Sequence, residues 1–395
     1  MALRETTTVA IVGGGVSGLT AAMLLRRSGV DSIVLERQAR GHVEQRQRAG
    51  LVEYRGLRMF RQHGLGDMLG GFPADDTLEV RVAGESRYLG NSAEGLDGPG
   101  RTAGTAVPQQ VLVRGLIAAF LADGGDLRFE AADVALQDLE SARPVVTYTD
   151  TDGNERAIEC DFVAGCDGDH GVSNSSVPDG ALTAYPFDYG ISWLTILADA
   201  PPPQHALMAV SRHGYAAHYF RGPKQSRFYL QCDARDTPDD WPAERVWEQL
   251  RRRLHRPELP IGPITETEVF PLRSLVREPM SYGRLFLLGD AAHVISPMGA
   301  KGMNLALYDA EVFAAAVRDF VRDGDETGLV SYSDVCLART WRYQEFAHWM
   351  AETLHAMLGS GGDPFRARLA RARFDWILNA PTGVRWYAEM MTGLG

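Results

Sequence analysis

The sequence predicts an α/β protein with a mostly parallel sheet, a second, mixed β-sheet and a helical C-terminal region. Three observations support this fold class. Continuous β-branched and apolar runs near the N-terminus are typical of strands that are buried on both faces. Strictly alternating runs between 190 and 232 are typical of a half-exposed antiparallel sheet. Helical periodicity dominates the chain from 304 onwards.

The chain opens with a βαβ unit. Residues 8–12 (TVAIV) have the pattern of a buried strand, a helix is predicted from about Ser17 to Ser28, and a second buried strand follows at 32–36 (SIVLE). The later patterns of this part are a helix at 53–63, a glycine-rich loop at 84–104, a helix at 109–123, a hairpin of strands 145–148 and 155–159, and a strand at 162–166.

These patterns predict three regions. Residues 1–183 form a first domain, and 270–330 complete it because a buried strand returns at 284–288 (RLFLL). Residues 184–269 form a sheet domain, and residues 331–395 form the C-terminal helical region. The sheet domain contains predicted strands at 190–198, 205–212, 215–221 and 227–232, and a helix at 241–254.

A glycine-rich turn joins the first strand to the first helix. Gly13, Gly15 and Gly18 form a GxGxxG pattern, in which glycines let backbone N–H groups approach a pyrophosphate at a helix N-terminus. Ser17 belongs to the same turn. Glu36 ends the second strand, where a carboxylate accepts hydrogen bonds from ribose hydroxyls. The pattern predicts a Rossmann-type domain for a dinucleotide, FAD or NAD.

Two further segments favour FAD. Asp167-Gly168 follows the strand at 162–166, and Asp290 lies in GDAAH after the strand at 284–288. Both carboxylates stand at the C-terminal ends of strands, where ligands bind in open α/β sheets. Asp290 is suited to accept from a ribityl hydroxyl. Gly299, Gly302 and Asn304 are suited to a close-approach loop over a flat ring.

Composition excludes several classes of protein. With 40 basic and 51 acidic residues the net charge is −11, which argues against a nucleic-acid partner. Four scattered cysteines with no CxxC pattern argue against a disulfide framework and a metal site. Neither a signal peptide nor a membrane-spanning run is recognisable. We therefore expect a soluble, cytoplasmic protein.

The chain resembles the flavoprotein aromatic hydroxylases (group A FAD monooxygenases), most closely the para-hydroxybenzoate hydroxylase branch. The matching stretches occur in family order along nearly the whole chain. They are VAIVGGGVSGL, VLERQ, QRQRAGLVE, CDFVAGCDGDHGVS, PLRS, EPMSYGRLFLLGDAAHVISPMGAKGMNLA and VCLARTWR. The resemblance implies that NADH or NADPH reduces FAD, that O₂ forms a flavin C4a-hydroperoxide, and that one oxygen atom is transferred to an aromatic ring.

The resemblance also implies roles for individual residues. The cofactor-binding set is Gly13, Gly15, Ser17, Gly18, Glu36, Arg46, Arg48, Gln109, Asp167, Gly168, Asp290, Gly299, Met303 and Asn304. Positions associated with docking of the nicotinamide cofactor are Arg37, Gln38, His170 and Arg273. His42 replaces a family tyrosine, so the choice between NADH and NADPH stays open. A homodimer is expected from the resemblance alone.

The resemblance also implies a second set of residues, which bind the substrate. Arg221 matches the arginine that binds the substrate carboxylate, Tyr229 matches a tyrosine beside it, and Tyr219 replaces a serine. Arg227 shares a strand face with Tyr229. The backbone carbonyl of Pro297 is expected to accept from a substrate hydroxyl or amine, so that Pro297 and Asn304 are the catalytic candidates.

The chain departs from the family where the ring is activated. Relatives use two tyrosines to deprotonate a ring hydroxyl, and these align with Ala209 and Met391, which cannot relay a proton. Asp75 aligns with the histidine that carries the proton outward. Tyr215, Tyr387 and His218 are candidate substitutes.

We therefore hypothesise a benzoate ring that an amino group already enriches in electrons, such as 3-amino-4-hydroxybenzoate or 4-aminobenzoate. The alternatives are 4-hydroxybenzoate 3-monooxygenase proper, an FAD oxidase or dehydrogenase without oxygen transfer, and a non-catalytic flavin-binding module.

Overall fold

The computed structural model describes residues 3–45, 50–69, 72–73, 77–82, 84–90, 104–356 and 364–393. Its strands are β1 (Leu3–Val12), β2 (Ser32–Leu35), β3 (Val52–Glu53), β4 (Phe72–Pro73), β5 (Thr77–Val82), β6 (Glu85–Gly90), β7 (Gly104–Ala106), β8 (Asp126–Arg128), β9 (Ala132–Gln137), β10 (Val145–Thr149), β11 (Glu155–Gly165), β12 (Thr183–Ala198), β13 (Ala206–Ser211), β14 (Gly214–Gly222), β15 (Gln225–Asp233), β16 (Ile264–Glu278), β17 (Ser281–Tyr282), β18 (Leu285–Leu287) and β19 (His293–Val294). Its α-helices are α1 (Val16–Arg27), α2 (Arg40–Gln45), α3 (Tyr54–Gln62), α4 (Gln109–Ala122), α5 (Val172–Ser175), α6 (Ala243–Arg253), α7 (Gly302–Asp323), α8 (Thr327–Ala356), α9 (Pro364–Asn379) and α10 (Pro381–Thr392).

The first sheet has the strand order β17-β18-β11-β1-β2-β8, and β10 and β9 extend it beside β11. Strands β18, β11, β1, β2 and β8 run parallel, with Val9 opposite both Phe162 and Ser32. Successive residues of β1 are buried, so both faces of the strand are covered, which explains its continuous apolar pattern. Val9, Ala10 and Ile11 are fully buried. The Rossmann-type prediction is confirmed.

The second sheet has the order β19-β16-β12-β15-β14-β13-β5-β6 and is antiparallel except between β13 and β5. Its two faces have separate cores. One face packs against residues of α8, α9 and α10, and Trp193 and Tyr215 lie in that core. The other face packs against α6, and Phe228 and Trp247 lie there. We call the first the inner face and the second the outer face.

The second sheet is larger than the sheet domain predicted at 184–269. Strands β5 and β6 join it from the N-terminal part, and β16 continues to Glu278. Strand β6 also occupies the start of the predicted loop at 84–104, while residues 91–103 lie outside the described residues. The strands predicted at 155–159 and 162–166 are one continuous strand, β11. The three-region division itself stays a prediction.

Two kinds of feature are absent from the described residues. None of the described helices combines the length and the apolar character that a membrane crossing requires. No group of His, Cys, Asp and Glu side chains in the described part of the chain is arranged to hold a metal ion.

Candidate active site

The glycine turn after β1 is shaped by contacts on one side and open space on the other. Gly13 has φ 110°, and a Cβ there would lie 2.3 Å from the carbonyl oxygen of Cys166. A Cβ at Gly18 would lie 2.0 Å from the carbonyl oxygen of Gly13. Around Gly15, by contrast, no described atom lies within 4 Å of a built Cβ. The turn therefore packs tightly on the sheet and opens at the N-terminus of α1.

Glu36 is fixed beside this turn. Its side chain is 9% exposed and accepts the backbone N–H groups of Gly14 and Gln38, each at 2.8 Å. Each carboxylate oxygen has a second lone pair, so the carboxylate keeps acceptor capacity for ribose hydroxyls.

The two later carboxylates lie at the same edge of the sheet. Gly165 pairs with Val12 on one side and with Leu287 on the other, so β1, β11 and β18 end side by side. Asp167 Oδ2 accepts the backbone N–H of Ser173 at 2.9 Å. Burial raises the pKa of the Asp167 carboxyl. Asp290 is exposed at the edge.

Two buried polar atoms at this edge leave hydrogen-bonding capacity for a polar ligand. Asp167 Oδ1 and Ser17 Oγ are buried, and neither has a hydrogen-bond partner among the described residues. Buried polar groups in native proteins are nearly always hydrogen-bonded. Together with the open space at Gly15 and the positive φ of 84° at Gly168, these atoms fit the pyrophosphate and sugar groups of FAD.

The segment 298–304 forms a tight loop before α7. Gly299 and Ala300 both have positive φ, 75° and 55°. The Asn304 side chain holds this loop in place through three hydrogen bonds. Its amide group donates to Leu51 O at 2.8 Å and to Ala300 O at 3.0 Å, and its Oδ1 accepts from Glu53 N at 2.9 Å. Both amide hydrogens are used within the protein. A direct role of Asn304, or of the half-buried Met303, toward a flavin stays a prediction.

A buried ion pair ties the loop to the C-terminus. Lys301 is fully buried, and its Nζ lies 2.5 Å from Glu53 Oε1 and 2.5 Å from the Met390 carbonyl oxygen. Arg339 approaches the same carboxylate at 3.8 Å and donates to Gly393 O at 3.0 Å. Burial lowers the pKa of Lys301, and Glu53 opposes that shift. Lys301 lies in the PMGAKG stretch of the sequence, and its partner Glu53 is 248 residues away along the chain.

The inner face of the second sheet carries Arg227 between tyrosines, and Arg221 lies nearby at the end of β14. Tyr219 pairs with Arg227 across β14 and β15, and Ala217 pairs with Tyr229, which places these side chains on one face. The rings of Tyr219 and Tyr229 lie edge to face with centroids 5.7 Å apart. Arg221 Nη2 donates to Gln110 Oε1 at 3.1 Å, so this arginine lies beside the start of α4, where Gln109 begins the helix.

The two arginines differ in their surroundings within the protein. Burial, and then the charge of Arg227, lower the pKa of Arg221. Arg227 is 9% exposed, makes no ion pair with any described residue, and its Nε has no hydrogen-bond partner among them. A buried, uncompensated guanidinium is costly unless an anion binds there. Sequence reasoning placed Arg227 on this face but gave it no role.

Further tyrosines extend the pocket toward α8 and α10. The Tyr215 and Tyr387 side chains are buried, and their hydroxyls have no hydrogen-bond partner among the described residues. Trp193 stacks on Tyr215 and donates its Nε1–H to His355 Nε2 at 2.9 Å. His355 Nδ1 lies 2.8 Å from Ala351 O, so both ring nitrogens are engaged. Burial lowers the pKa of His355 to about 4, which keeps the ring neutral.

Two of the residues considered for the pocket lie on the outer face, and a third lies outside the described residues. Ala209 pairs with Ala216 and packs in the outer-face core, so it does not line the inner-face pocket. The strand period of two places Met208 and Val210 on the inner face instead. His218 also lies on the outer face, stacked on Phe228, and is no candidate for a relay in this pocket. Asp75 lies outside the described residues.

The remaining pocket candidates are Met391 and Pro297. Met391 lies in the inner-face core with Tyr387 and is 8% exposed. The carbonyl oxygen of Pro297 accepts the N–H of Ala300 at 3.1 Å. Its second lone pair is still available for a substrate hydroxyl or amine.

The residues predicted to dock a nicotinamide cofactor form two groups. Asp169 lies 2.6 Å from Arg273 Nη1 and 3.7 Å from His170 Nε2, and His170 is 90% exposed. Arg37 and Gln38 follow the end of β2, and among the described residues no hydrogen bond or ion pair joins them to the first group. Arg46 and Arg48, predicted to bind the cofactor, lie outside the described residues.

A glycine-rich turn at the ends of β1, β11 and β18, together with arginines and tyrosines on the second sheet, is the arrangement expected of a flavin-dependent aromatic hydroxylase. Comparisons with known proteins agree. The FAD binding domain family matches residues 6–347. p-Hydroxybenzoate hydroxylase of Acinetobacter baylyi is 35% identical over 398 residues, which cover 98% of this chain and 95% of that protein.

Solved structures show the same fold at lower identity. The crystal structure of p-nitrophenol 4-monooxygenase from Pseudomonas putida is 19% identical with a TM-score of 0.81, covering 98% of this chain and 99% of that chain. A ternary complex of aklavinone-11 hydroxylase with FAD and aklavinone is 22% identical with a TM-score of 0.75, covering 93% and 73% of the two chains. The chain belongs to the group A flavoprotein aromatic hydroxylases and is an FAD-dependent oxidoreductase.

Proposed function

We propose that the protein is an NAD(P)H-consuming monooxygenase that uses O₂ and FAD to hydroxylate the ring of a substituted benzoate. The observation that carries this proposal is the buried Arg227 guanidinium, which makes no ion pair with a described residue and lies among tyrosines of the inner face, with Arg221 close by. A small aromatic carboxylate supplies a negative charge for Arg227 and a flat ring for the tyrosines.

The residues of the chain bind and orient such a ring. The Arg221 guanidinium forks onto the carboxylate, while Gln110 holds it beside the FAD domain through a 3.1 Å hydrogen bond. The Pro297 carbonyl accepts from a hydroxyl or amine elsewhere on the ring. The apolar side chains of the inner-face core, Met298 and Leu305 among them, exclude water from the pocket. FAD, when bound, accepts electrons from the nicotinamide cofactor and activates O₂.

The tyrosines around this pocket favour an amino-substituted ring. Burial raises the pKa of the Tyr215, Tyr219 and Tyr387 hydroxyls, so these groups stay protonated at neutral pH. His355 has both nitrogens occupied and cannot take up a proton without losing a hydrogen bond. A ring that an amino group activates needs no deprotonation. The proposed substrates are therefore amino- or amino-hydroxybenzoates, such as 4-aminobenzoate or 3-amino-4-hydroxybenzoate.

One observation favours a second candidate. The relative that is 35% identical over nearly the whole chain is a p-hydroxybenzoate hydroxylase. Hydroxylation of 4-hydroxybenzoate at position 3 is thus the competing activity. In that case the Tyr215 and Tyr219 hydroxyls would have to act as the proton relay, because Met391 and the inner-face residues Met208 and Val210 cannot transfer a proton.

The electron donor is part of the same proposal. Arg37, Gln38, His170 and Arg273 are the residues proposed to dock NADH or NADPH on the surface. Arg273 is already paired with Asp169 at 2.6 Å, so an anionic cofactor would have to compete with that carboxylate. A cytoplasmic location and a homodimer stay predictions.

One assay tests the proposal and separates the alternatives. Purified FAD-loaded protein is incubated with NADH or NADPH and a panel of benzoates, and products, peroxide and cofactor consumption are measured together. We expect a hydroxylated product from amino-substituted benzoates at a stoichiometry near one per NAD(P)H. Faster coupled turnover of 4-hydroxybenzoate would overturn the amino preference. Peroxide without a hydroxylated ring product would indicate an oxidase. A lack of turnover with every benzoate in the panel would indicate a flavin-binding module.

A further inference from the structure

The turn that follows β18 is held against the start of α1. Gly289 has φ 62°, and a Cβ there would lie 3.2 Å from the Cβ of Ser17 and from the Cβ of Ala306. Leu288 N donates to Gly165 O at 2.9 Å. The turn thus lies where β11, β18 and α1 meet, next to the orphaned Ser17 hydroxyl.

One carboxylate oxygen binds both ends of this turn. Asp309 is fully buried on α7, and its Oδ2 accepts the backbone N–H of Gly289 at 2.9 Å. The same oxygen lies 2.8 Å from Nε2 of His293, whose side chain is 1% exposed. Asp290, the residue predicted to meet the ribityl chain, lies between these two attachments. The carboxylate therefore sets the position of the whole Gly289–His293 segment relative to α7.

The charge on Asp309 has one compensating partner. Burial by itself lowers the pKa of His293, but the adjacent Asp309 carboxylate, with a smaller contribution from Asp290, raises it overall. The other groups packed on the pair are neutral or engaged. Tyr332 donates its hydroxyl to Leu287 O at 2.9 Å, burial raises the pKa of the Cys336 thiol, and Arg277 is paired with Asp169 at 2.7 Å.

We infer that Asp309, together with His293, is a positioning residue for FAD: the buried pair holds the Gly289–His293 turn in the conformation that receives the ribityl chain. The inference rests on FAD as the ligand of the cradle, and it is independent of the ring substrate. Neither side chain is needed to touch the flavin. Their effect is exerted through the Gly289 backbone and through the direction of Asp290.

The first test measures FAD affinity in protein stripped of FAD. Asp309→Asn keeps the size of the side chain but removes the charge that both donors share. We expect the Kd for FAD, from quenching of flavin fluorescence, to rise about 10- to 100-fold, as for loss of a hydrogen bond to a charged group. Asp319→Asn is the matched control, because Asp319 lies on the exposed side of the same helix beside Arg318.

A purely structural role of the pair would give a different result. The Asp309→Asn apoprotein would then unfold at lower temperature, yet its folded fraction would bind FAD within about twofold of the wild-type Kd. Circular dichroism at the titration temperature identifies that folded fraction. An unchanged Kd in folded Asp309→Asn protein overturns the inference.

The second test uses pH and does not depend on Asp309→Asn folding. Because the pKa of His293 is raised, the imidazolium form prevails at low pH and is lost as pH rises. We expect the wild-type Kd for FAD to increase from pH 6 to pH 9, and His293→Gln, which keeps a neutral donor, to lose this increase. The same pH profile in both proteins would contradict the inference. Failure of benzoate hydroxylation would leave both FAD titrations unaffected, so the two proposals fail separately.

Discussion

Arg221 and Arg227 are of a residue type that usually lies on exposed surfaces, and the fold brings them together at the proposed binding site. Each alone would be expected on a solvated sheet face. The register of β14 and β15 pairs Arg227 with Tyr219, and Arg221 follows in the irregular part of the pairing, close enough that the charge of Arg227 disfavours that of Arg221. Two like charges in a buried pocket are tolerated when an anion binds between or beside them.

The role of Arg221 is tested by changing it to alanine. We expect Arg221→Ala to raise the Kd for carboxylated rings about 30- to 100-fold, corresponding to about 2–3 kcal/mol for a lost charge-assisted hydrogen bond. Flavin absorbance changes on ligand addition give the Kd. FAD content should be unchanged.

Two controls sharpen this measurement. Arg212→Ala removes an exposed arginine from the turn before β14 and should leave the Kd unchanged. An uncharged analogue of the same ring should bind wild-type and Arg221→Ala protein equally. Retention of carboxylate affinity in Arg221→Ala would remove the assigned role.

The glycine turn offers a second prediction at the residue scale. Alanine at Gly15 meets no described atom within 4 Å, whereas alanine at Gly13 would meet the Cys166 carbonyl at 2.3 Å in a left-handed conformation. We expect Gly15→Ala apoprotein to keep its melting temperature and lose FAD affinity. Gly13→Ala should lower both the melting temperature and the FAD affinity, and it should reduce the free energy of unfolding by a few kcal/mol.

Melting of the apoproteins and FAD titration check this prediction. Gly41→Ala is a suitable control, because its Cβ also meets open space but lies in α2, outside the turn. Normal FAD binding by Gly15→Ala protein would show that the open space there is not used by the cofactor.

At the scale of elements, Lys301 and Arg339 both bind backbone carbonyl groups at the end of the C-terminal helix α10. Lys301 Nζ bonds to Glu53 and to the carbonyl oxygens of Met390 and Met391, at 2.5 and 3.3 Å for the two carbonyls. The helix carries Tyr387 and Met391 into the inner-face core. The position of these pocket residues is therefore coupled to the flavin-edge loop.

Removing one member of this ion pair should loosen α10. We expect Glu53→Gln to lower the free energy of unfolding by about 3–5 kcal/mol, because it leaves the buried Lys301 without a carboxylate, and Lys301→Met to cost less, because Arg339 still lies 3.8 Å from Glu53. The double variant should lose less than the sum of the two. Urea unfolding measures the cycle, and proteolysis of α10 reports the loosening. Strict additivity would show that the two charges do not interact.

The molecule as a whole contains histidines that are buried without charge. Burial lowers the pKa of His218 to about 3 and that of His355 to about 4. Both values lie below that of an unfolded histidine, so the unfolded chain binds protons first as pH falls. The stability they support is complete above about pH 6.5 and declines toward pH 4.

Urea unfolding at several pH values measures this decline. We expect the unfolding free energy to fall by up to about 1.4 kcal/mol per pH unit for each of the two histidines. His355→Gln should reduce the slope, while His170→Gln should not, because His170 is 90% exposed. Equal slopes in wild-type and His355→Gln protein would contradict the prediction. Asp169 and Glu79 have lowered pKa values and act only at more acidic pH.

The nucleotide cradle was predictable because its signals are local. A strand, three glycines and a helix follow one another directly, and Glu36 comes at the end of the next strand. The pocket was harder, because a strand alternates its faces at every residue. Alignment placed Ala209 in the pocket, whereas the pairing with Ala216 puts it on the outer face.

The sequence by itself determined the Rossmann-type fold and the family and predicted the residues of the FAD cradle, since each depends on neighbours in the chain and on residue type. Only the tertiary structure decided which residues share a buried environment. It paired Lys301 with Glu53, placed Asp309 under the Gly289 turn, and left Arg227 without a protein carboxylate among the described residues. These contacts join distant segments across sheet and helix packing, and their strength comes from burial, which no local pattern in a sequence reports.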